Sequence, residues 1–287
     1  MNTTTQSTIP TSRMISLTRT VRFSINTPND TGQTDAPPKS NTFAAWPPNA
    51  GLGRHYGLDV TCVGPIDPVT GYFMNISRID EAARLHAIPL VGQAASEAPR
   101  DCPTTLLKPI FQALYQRLDQ TVQRISLRLS PFLRFQRIET GTPDMPSNAT
   151  TLISHQFEFA ASHRLHCQSL SDEENAKLFG KCNRPNGHGH NYRVEVTVRH
   201  EPECSSPAPF DLITFERLVN EVVIERFDHT NLNVDCEEFR ALNPSVENIA
   251  TVCCSLLQQP LGDAAMPLHS VTVWETDKTS CTCHAVC

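Results

Sequence analysis

The sequence predicts an α+β fold built from two similar modules. Three observations carry this expectation. Short alternating apolar segments recur along the chain, and between them lie segments whose apolar residues are spaced as on a helix. The order of these segments in the second half repeats that of the first. The halves also align without gaps at a constant offset of 136 positions, pairing Phe23 with Phe159, Gly51 with Gly187, Gly53 with Gly189, Tyr56 with Tyr192, and Asp59-Val60-Thr61 with Glu195-Val196-Thr197.

Size and composition agree with two modules. A chain of 287 residues is about two average domains, and 39% hydrophobic with 19% charged residues suits a globular protein with a sizeable core. The formal net charge of −6 supplies no overall basic field, which argues against nucleic acid as the main partner. It leaves room for a small basic pocket that takes a phosphorylated ligand. No apolar run approaches the roughly 20 residues a membrane span needs, so no membrane partner is expected. The opening residues are rich in Thr and Ser and lack the apolar stretch of a secretory signal. Residues 1–16 are expected to be a disordered tail, with Met14 a candidate true start at the opening of the first strand-like segment. Eleven cysteines are an odd number, and with no export signal they are expected to be reduced thiols in the cytoplasm. Cys253 and Cys254 fall on a helix, and Cys281, Cys283 and Cys287 at a frayed end.

In chain order, residues 17–23 alternate as a strand and a polar loop follows to about residue 40. Residues 58–63 form a second strand, and 66–72 (Ile-Asp-Pro-Val-Thr-Gly-Tyr) a turn between strands. A short helix is expected over 79–86. A stronger one spans 105–121, with Leu107, Ile110, Phe111, Leu114 and Leu118 on one face. Residues 125–135 return to strand. Residues 141–150 lack periodicity, contain Pro143 and Pro146, and are expected to link a module at 17–140 to one at 151–287.

The second module opens with a strand over 156–161 that ends at Ser162-His163. Ser171-Asp-Glu-Glu174 has the pattern of a capping box, so a short helix starts there. Residues 192–198 are a strand. Phe215, Leu218, Val219, Val222 and Phe227 mark one helix, and Val246, Ile249, Ala250, Cys253, Leu256 and Leu257 another with Ser245 as its N-cap. A final strand covers 270–274.

The chemistry concentrates between Gly180 and Val198. His188 and His190 are two apart at the start of a strand, so both imidazoles leave one face and can chelate a metal, while Gly189 leaves the other face open. His163, at the end of the preceding strand, is the natural third ligand. Three imidazoles with a fourth position open describe a catalytic zinc site. Cys182, six positions before His188, has three readings: a fourth metal ligand, an inert thiol, or an activated base or nucleophile. Asp228-His229 could supply an imidazole oriented by its own carboxylate. Glu275, at the end of the last strand, is either a solvated charge or a buried acceptor for the amino and ring N–H groups of a guanine-like base. Glu247 lies in the first turn of its helix, where a negative charge is favoured anyway. At the shared offset Trp46 replaces Cys182, Thr27 replaces His163, Leu52 replaces His188 and Arg54 replaces His190. The first module keeps the strand pattern without the chemistry.

The segments Phe159-Ala-Ala-Ser-His-Arg-Leu165, Leu170-Ser-Asp-Glu-Glu-Asn175, Phe179-Gly-Lys-Cys-Asn-Arg-Pro-Asn-Gly-His-Gly-His-Asn-Tyr192, Phe227-Asp-His-Thr-Asn-Leu-Asn233, Asn243-Pro-Ser-Val-Glu-Asn-Ile-Ala250 and Trp274-Glu-Thr-Asp-Lys278 resemble, in order, the motif series of the 6-pyruvoyl tetrahydropterin synthases. The family also includes the 6-carboxytetrahydropterin synthases of queuosine biosynthesis. The resemblance covers nearly all of the second half; the first half is only faintly similar, chiefly through Asp67-Pro-Val-Thr-Gly-Tyr72, where the second copy has Ser205-Ser-Pro-Ala-Pro-Phe210. It implies the tunnelling fold (T-fold), an antiparallel sheet with two helices on one face, whose units assemble into barrels, hence a homo-oligomer with sites at subunit or module interfaces. It implies zinc held by His163, His188 and His190, with Cys182 as the base and Asp228 and His229 completing a relay that the family supplies across a subunit boundary. Glu275 would anchor the pterin, with Glu247 and Ser245 (where threonine is common) nearby. The implied substrate is 7,8-dihydroneopterin triphosphate, whose triphosphate is expelled once Cys182 has taken a proton from the side chain. The spacing of Cys182 and His188 resembles the pyruvoyl-forming branch, the carboxy-forming enzymes having a shorter one. Release of acetaldehyde stays open as the alternative product, as do a non-catalytic zinc-stabilised binding module and, more remotely, cyclohydrolase chemistry on GTP.

Overall fold

Two long strands open each half of the chain, and in each the residues facing the helices are apolar at every second position. The computed structural model describes residues 13–26, 45–49, 51–140, 148–200 and 210–286. It divides into two compact units, Met1–Thr151 and Leu152–Cys287.

In the first unit β1 (Met14–Ile25) pairs antiparallel with β2 (Arg54–Pro65), β2 with β3 (Val122–Arg128), and β3 with β4 (Leu133–Thr140). Val21, Phe23 and Ile25 of β1, Tyr56, Leu58, Val60 and Cys62 of β2, and Ile125 and Leu127 of β3 are buried. Between β2 and β3 come α1 (Ile76–Ala82), a π-helical turn (Ala83–Ala87), α2 (Ile88–Glu97) and α3 (Thr104–Arg117). Leu107, Ile110, Phe111 and Leu114 of α3 are buried, and the helix packs on β3 and β4. Burial of these apolar rows is the main favourable contribution to the unit, about 25 cal/mol per Å² removed from water.

The second unit has the same order. β5 (Asn148–His163), β6 (His188–His200), β8 (Leu268–Thr276) and β9 (Thr279–His284) lie side by side in that order, and a short β7 (Thr230–Asn231) runs parallel to the end of β5. α4 (Asp172–Phe179) and a 3₁₀ turn (Gly180–Asn183) join β5 to β6. α5 (Leu212–Val219), a π turn (Asn220–Ile224), α6 (Glu225–Phe227) and α7 (Val246–Asp263) precede β8, and α7 packs on β8 and β9. The capping box at Ser171 is present: its Oγ accepts from Glu174 N at 3.2 Å and Glu174 Oε2 accepts from Ser171 N at 2.8 Å. Ser245 caps α7, accepting from Asn248 N.

The two units share internal details. Phe23 stacks on Tyr56 at 5.4 Å and Phe159 on Tyr192 at 5.0 Å. A Thr18–Thr61 hydroxyl pair at 2.8 Å has its counterpart in Ser154–Thr197 at 2.9 Å, and Thr20–Asp59 has its counterpart in Gln156–Glu195. The ladder shifts register at Thr61/Cys62 in one unit and at Thr197/Val198 in the other.

Several expectations are corrected. Residues 1–12 lie outside the described residues, but Met14–Ser16 belong to β1 rather than to a tail. Most of the loop to residue 40, Thr27, Ser205 to Pro209, and Cys287 also lie outside them, as do 141–147 of the expected linker, whose last residues 148–150 are already β5. The turn at 66–72 exists, with Asp67 Oδ1 accepting from Val69 N and Thr70 N, but it leads into α1 and not into a strand. The helix expected over 79–86 runs on through α2, because Pro89 falls in the first turn, where no intrahelical N–H is required of it. Residues 125–135 are a hairpin, broken where Ser130 Oγ accepts from Phe132 N and Leu133 N. Cys281 and Cys283 sit in β9, whose charge-poor, hydroxyl-rich sequence gave little periodic signal.

Candidate metal centre and active site

The core-facing row of three neighbouring strands ends in a polar residue at the same end of the second unit. On β5 the row is Phe159, Ala161, His163; on β6 it is Val196, Val194, Tyr192, His190, His188; on β8 it is Val271, Val273, Glu275. Alternation alone therefore brings three imidazoles and one carboxylate to a single place. One ligand atom from each of His163, His188, His190 and Glu275 lies within 4.8 Å of all the others.

The separations fit a metal. His163 Nε2 is 3.2 Å from His188 Nε2, and Glu275 Oε1 is 3.3 Å from His163 Nε2 and 3.4 Å from His190 Nε2. Ligand atoms at tetrahedral positions about 2.05 Å from zinc are roughly 3.3 Å apart. His163 is fully buried, and its Nδ1 donates to the carbonyl of Pro244 at 2.7 Å, which leaves the Nε2 lone pair directed into the cluster. Burial pulls the pKa values of His188 and His190 below the usual imidazole value, so both are neutral and able to donate lone pairs. The bond to His163 holds the Glu275 carboxyl below its ordinary range. His190 Nε2 is buried without a hydrogen-bond partner, as a vacant ligand atom would be.

Backbone geometry sets this arrangement. Gly187 takes φ +67°, and a Cβ there would lie 2.7 Å from the carbonyl oxygen of His163. Only glycine lets β6 begin this close to the end of β5. Cys182 sits on the 3₁₀ turn, whose carbonyl accepts from Leu165 N at 2.9 Å, while Arg164 Nε donates to Asn183 O at 3.0 Å. The turn is thus tied to the chain leaving His163. Cys182 is half-buried, and it acts electrostatically on Tyr192 together with Glu275.

Asp228 and His229 form a pair of their own. His229 Nδ1 donates to Asp228 Oδ2 at 2.8 Å, and Asp228 Oδ1 accepts from Ala160 N at 2.8 Å. These bonds, that from Ala160 first, hold the Asp228 carboxyl below the usual range. His229 is 84% exposed at φ +58° and lines an open recess of about 680 Å³ with Ser162, Gly189, His190 and Asn191. Among the described residues no hydrogen bond joins it to Cys182. Ser245 is accounted for as the cap of α7; Glu247 is exposed in its first turn and reaches Cys281 electrostatically rather than the imidazole cluster.

Three contributors were not singled out from the sequence: Tyr192, the carbonyl of Pro244 and the close approach at Gly187. Tyr192 was within reach of the same alternation that found the histidines; a backbone carbonyl leaves no residue-type signal.

In the first unit the same rows end differently. β2 gives Tyr56, Arg54 and Leu52, with Leu52 fully exposed. The pairing of Gly57 with Arg128 corresponds to that of Arg193 with Trp274, so Leu129 stands where Glu275 stands in the second unit. A cavity of about 250 Å³ lined by Arg54, Tyr56, Leu127 and Leu129 occupies the place, with no metal-ligand cluster among the described residues.

Residues 152–285 match the family described as 6-pyruvoyl tetrahydropterin synthase. The 6-pyruvoyl tetrahydrobiopterin synthase of Homo sapiens is 42% identical over 125 residues, 44% of this chain and 85% of that protein. That of Poecilia reticulata is 37% identical over 139 residues, 48% of this chain and 92% of that protein. A solved structure of Caenorhabditis elegans 6-pyruvoyl tetrahydropterin synthase is 35% identical, covering 48% of this chain and 96% of that one with a TM-score of 0.44. No helix among the described residues is long and apolar enough to cross a membrane.

Proposed function

The chain belongs to the 6-pyruvoyl tetrahydropterin synthase family, and on that premise we propose that its second unit is a zinc-dependent lyase that converts 7,8-dihydroneopterin triphosphate to 6-pyruvoyl-tetrahydropterin with elimination of triphosphate. The observation that carries the proposal is the convergence of His163, His188, His190 and Glu275 at separations of 3.2 to 3.4 Å beside Cys182. Zinc held by the three imidazoles would supply Lewis-acid polarisation of the substrate side-chain hydroxyls.

The chain's own residues divide the remaining work. Cys182, as thiolate, takes the proton from the side-chain carbon and returns it at the neighbouring position. Asp228 orients His229 so that its Nε2 is free to pass protons to and from the thiol. Because that pair is not bonded to Cys182 within the chain, it serves the Cys182 of a second copy in a homo-oligomer. Glu275 anchors the pterin by accepting from its amino and ring N–H groups; Ser245 and Glu247, at the start of α7, border the same end of the unit. The first unit arose by tandem duplication and has lost its zinc site, a reading supported by the stacked Phe–Tyr pairs and hydroxyl pairs at matching positions.

Incubation of the zinc-loaded protein with 7,8-dihydroneopterin triphosphate, with products identified by mass spectrometry, tests this. The expected products are triphosphate and the pyruvoyl pterin. Acetaldehyde would place the chain in the carboxy-forming branch, and pterin binding without turnover would make it a non-catalytic module.

A further inference from the structure

Among the described residues of the second unit, three buried side-chain atoms lack a hydrogen-bond partner: His188 Nδ1, His190 Nε2 and Tyr192 Oη. All belong to the site. His190 Nε2 is explained as a ligand atom. His188 Nδ1 points away from the cluster, since Nε2 is the nitrogen that faces His163. Tyr192 Oη is the remainder, a hydroxyl that no metal ligation accounts for.

The ring and the hydroxyl have separate explanations. The ring stacks on Phe159, and Tyr56 repeats that stack on Phe23 in a unit with no imidazole cluster, so the ring is part of the fold. Phenylalanine would stack equally well. The hydroxyl is fully buried, and an unpaired buried donor costs free energy that packing does not return. Its surroundings are those of the chemistry. The ring lies 5.6 Å from His190 and 6.0 Å from His163, both edge-on. Extending the β6–β8 register one residue beyond Arg193 and Trp274 sets Tyr192 opposite Glu275. Burial first, then the negative charges of Glu275 and Cys182, raise the pKa of the phenol, which stays protonated and can donate. The imidazole Nε2 atoms, Glu275 and Cys182 in their proposed roles all accept protons or hold metal; Tyr192 is the hydrogen-bond donor left over.

We propose that Tyr192 Oη is a substrate-binding donor of this site, hydrogen-bonding a side-chain oxygen of the pterin next to the carbon from which Cys182 takes its proton. The inference rests on the pterin lyase reading above. In the step concerned, the substrate C–H bond breaks, the proton passes to the Cys182 sulfur, and the electron pair enters a C=C–O unit whose oxygen accepts from Tyr192. A donor placed where negative charge develops stabilises the transition state more than the ground state.

The test compares Tyr192→Phe with the wild-type full chain at matched zinc content, titrating neopterin, which carries the side-chain hydroxyls, and plain pterin, which lacks them, by quenching of pterin fluorescence. Tyr56→Phe serves as control. The proposal expects Tyr192→Phe to weaken neopterin about tenfold, as loss of one hydrogen bond does, with pterin affinity and zinc content unchanged. Turnover should fall by about 10²–10³-fold, as on removing an oxyanion donor. Equal neopterin affinities in variant and wild type would overturn it, as would a parallel loss of both ligands or of zinc, which marks a structural role. Wild-type protein that binds neither pterin would overturn the lyase reading along with it, and is distinguishable from the other outcomes.

Discussion

His163 donates from Nδ1 to the carbonyl oxygen of Pro244 at 2.7 Å, so the residue just before the cap of α7 decides which imidazole nitrogen of β5 faces the cluster. The bond couples the helix to the metal centre: it fixes the tautomer and the ring plane before any ion arrives. His163→Ala removes one ligand and the bond together. The expected result is loss of nearly all of the zinc that survives dialysis of the wild type, read by inductively coupled plasma spectrometry. His155→Ala, which removes a histidine bonded instead to Glu216 at 2.9 Å, should leave the zinc in place.

Glu275 is close enough to two imidazoles to be a ligand and is proposed to be the pterin anchor; Glu275→Gln separates these roles. Retained zinc with pterin affinity reduced about tenfold or more, the loss expected for a charge-assisted hydrogen bond, supports the anchor. Loss of zinc with the pterin would assign the carboxylate to the metal.

Cys182→Ala and His229→Ala should each lower turnover, the first by about 10²–10⁴-fold, with zinc retained in both. If the Asp228–His229 pair serves a different copy, mixing the two inactive variants after mild dissociation restores a fraction of the activity, because some interfaces then carry both intact partners. An absence of recovery in verified mixed oligomers would place the relay within one chain.

Acid should act on stability in a definite direction. The folded pKa values of His188 and His190 lie below the ordinary imidazole value of about 6.5, so as pH falls through that value the unfolded chain takes up protons first. Stability of the metal-free protein therefore declines from about pH 6.5 downward until the folded imidazoles protonate. The depressed Glu275 carboxyl contributes stability present above about pH 4.3, lost as pH falls through its folded value. Bound zinc steepens the first decline, since protons compete for the same nitrogens. Thermal midpoints of chelator-treated and zinc-loaded protein across this range check the sign; a flat metal-free profile between about pH 7.5 and 5.5 would contradict it.

The parts of this architecture that depend on alternation were readable from residues alone. His188 and His190 at i and i+2, and Phe159 and Tyr192 at the offset that also joins Phe23 and Tyr56, place strands, core face and ligands at once. What escaped depended on partners distant in sequence or on backbone. The hairpin at Ser130 hinges on a hydroxyl accepting from two amides, and the replacement of Glu275 by Leu129 emerges from strand pairing because the offset of 136 no longer holds there.

Gly187 gives a last, separable test of how tightly the backbone sets the site. It has φ +67°, in the left-handed region where any L side chain costs about 1–2 kcal/mol. Gly71 shares the conformation, with φ +72°, but has open space where a Cβ would go, whereas at Gly187 a Cβ would meet the His163 carbonyl at 2.7 Å. Gly71→Ala should thus cost only the conformational term. Gly187→Ala should cost that term and also push His163 away from His188, so zinc affinity falls along with stability. Denaturant unfolding of both variants with and without zinc reads the difference. Equal stability losses with unchanged zinc affinity would mean that β6 shifts freely and that the approach of these two strands does not position the ligands.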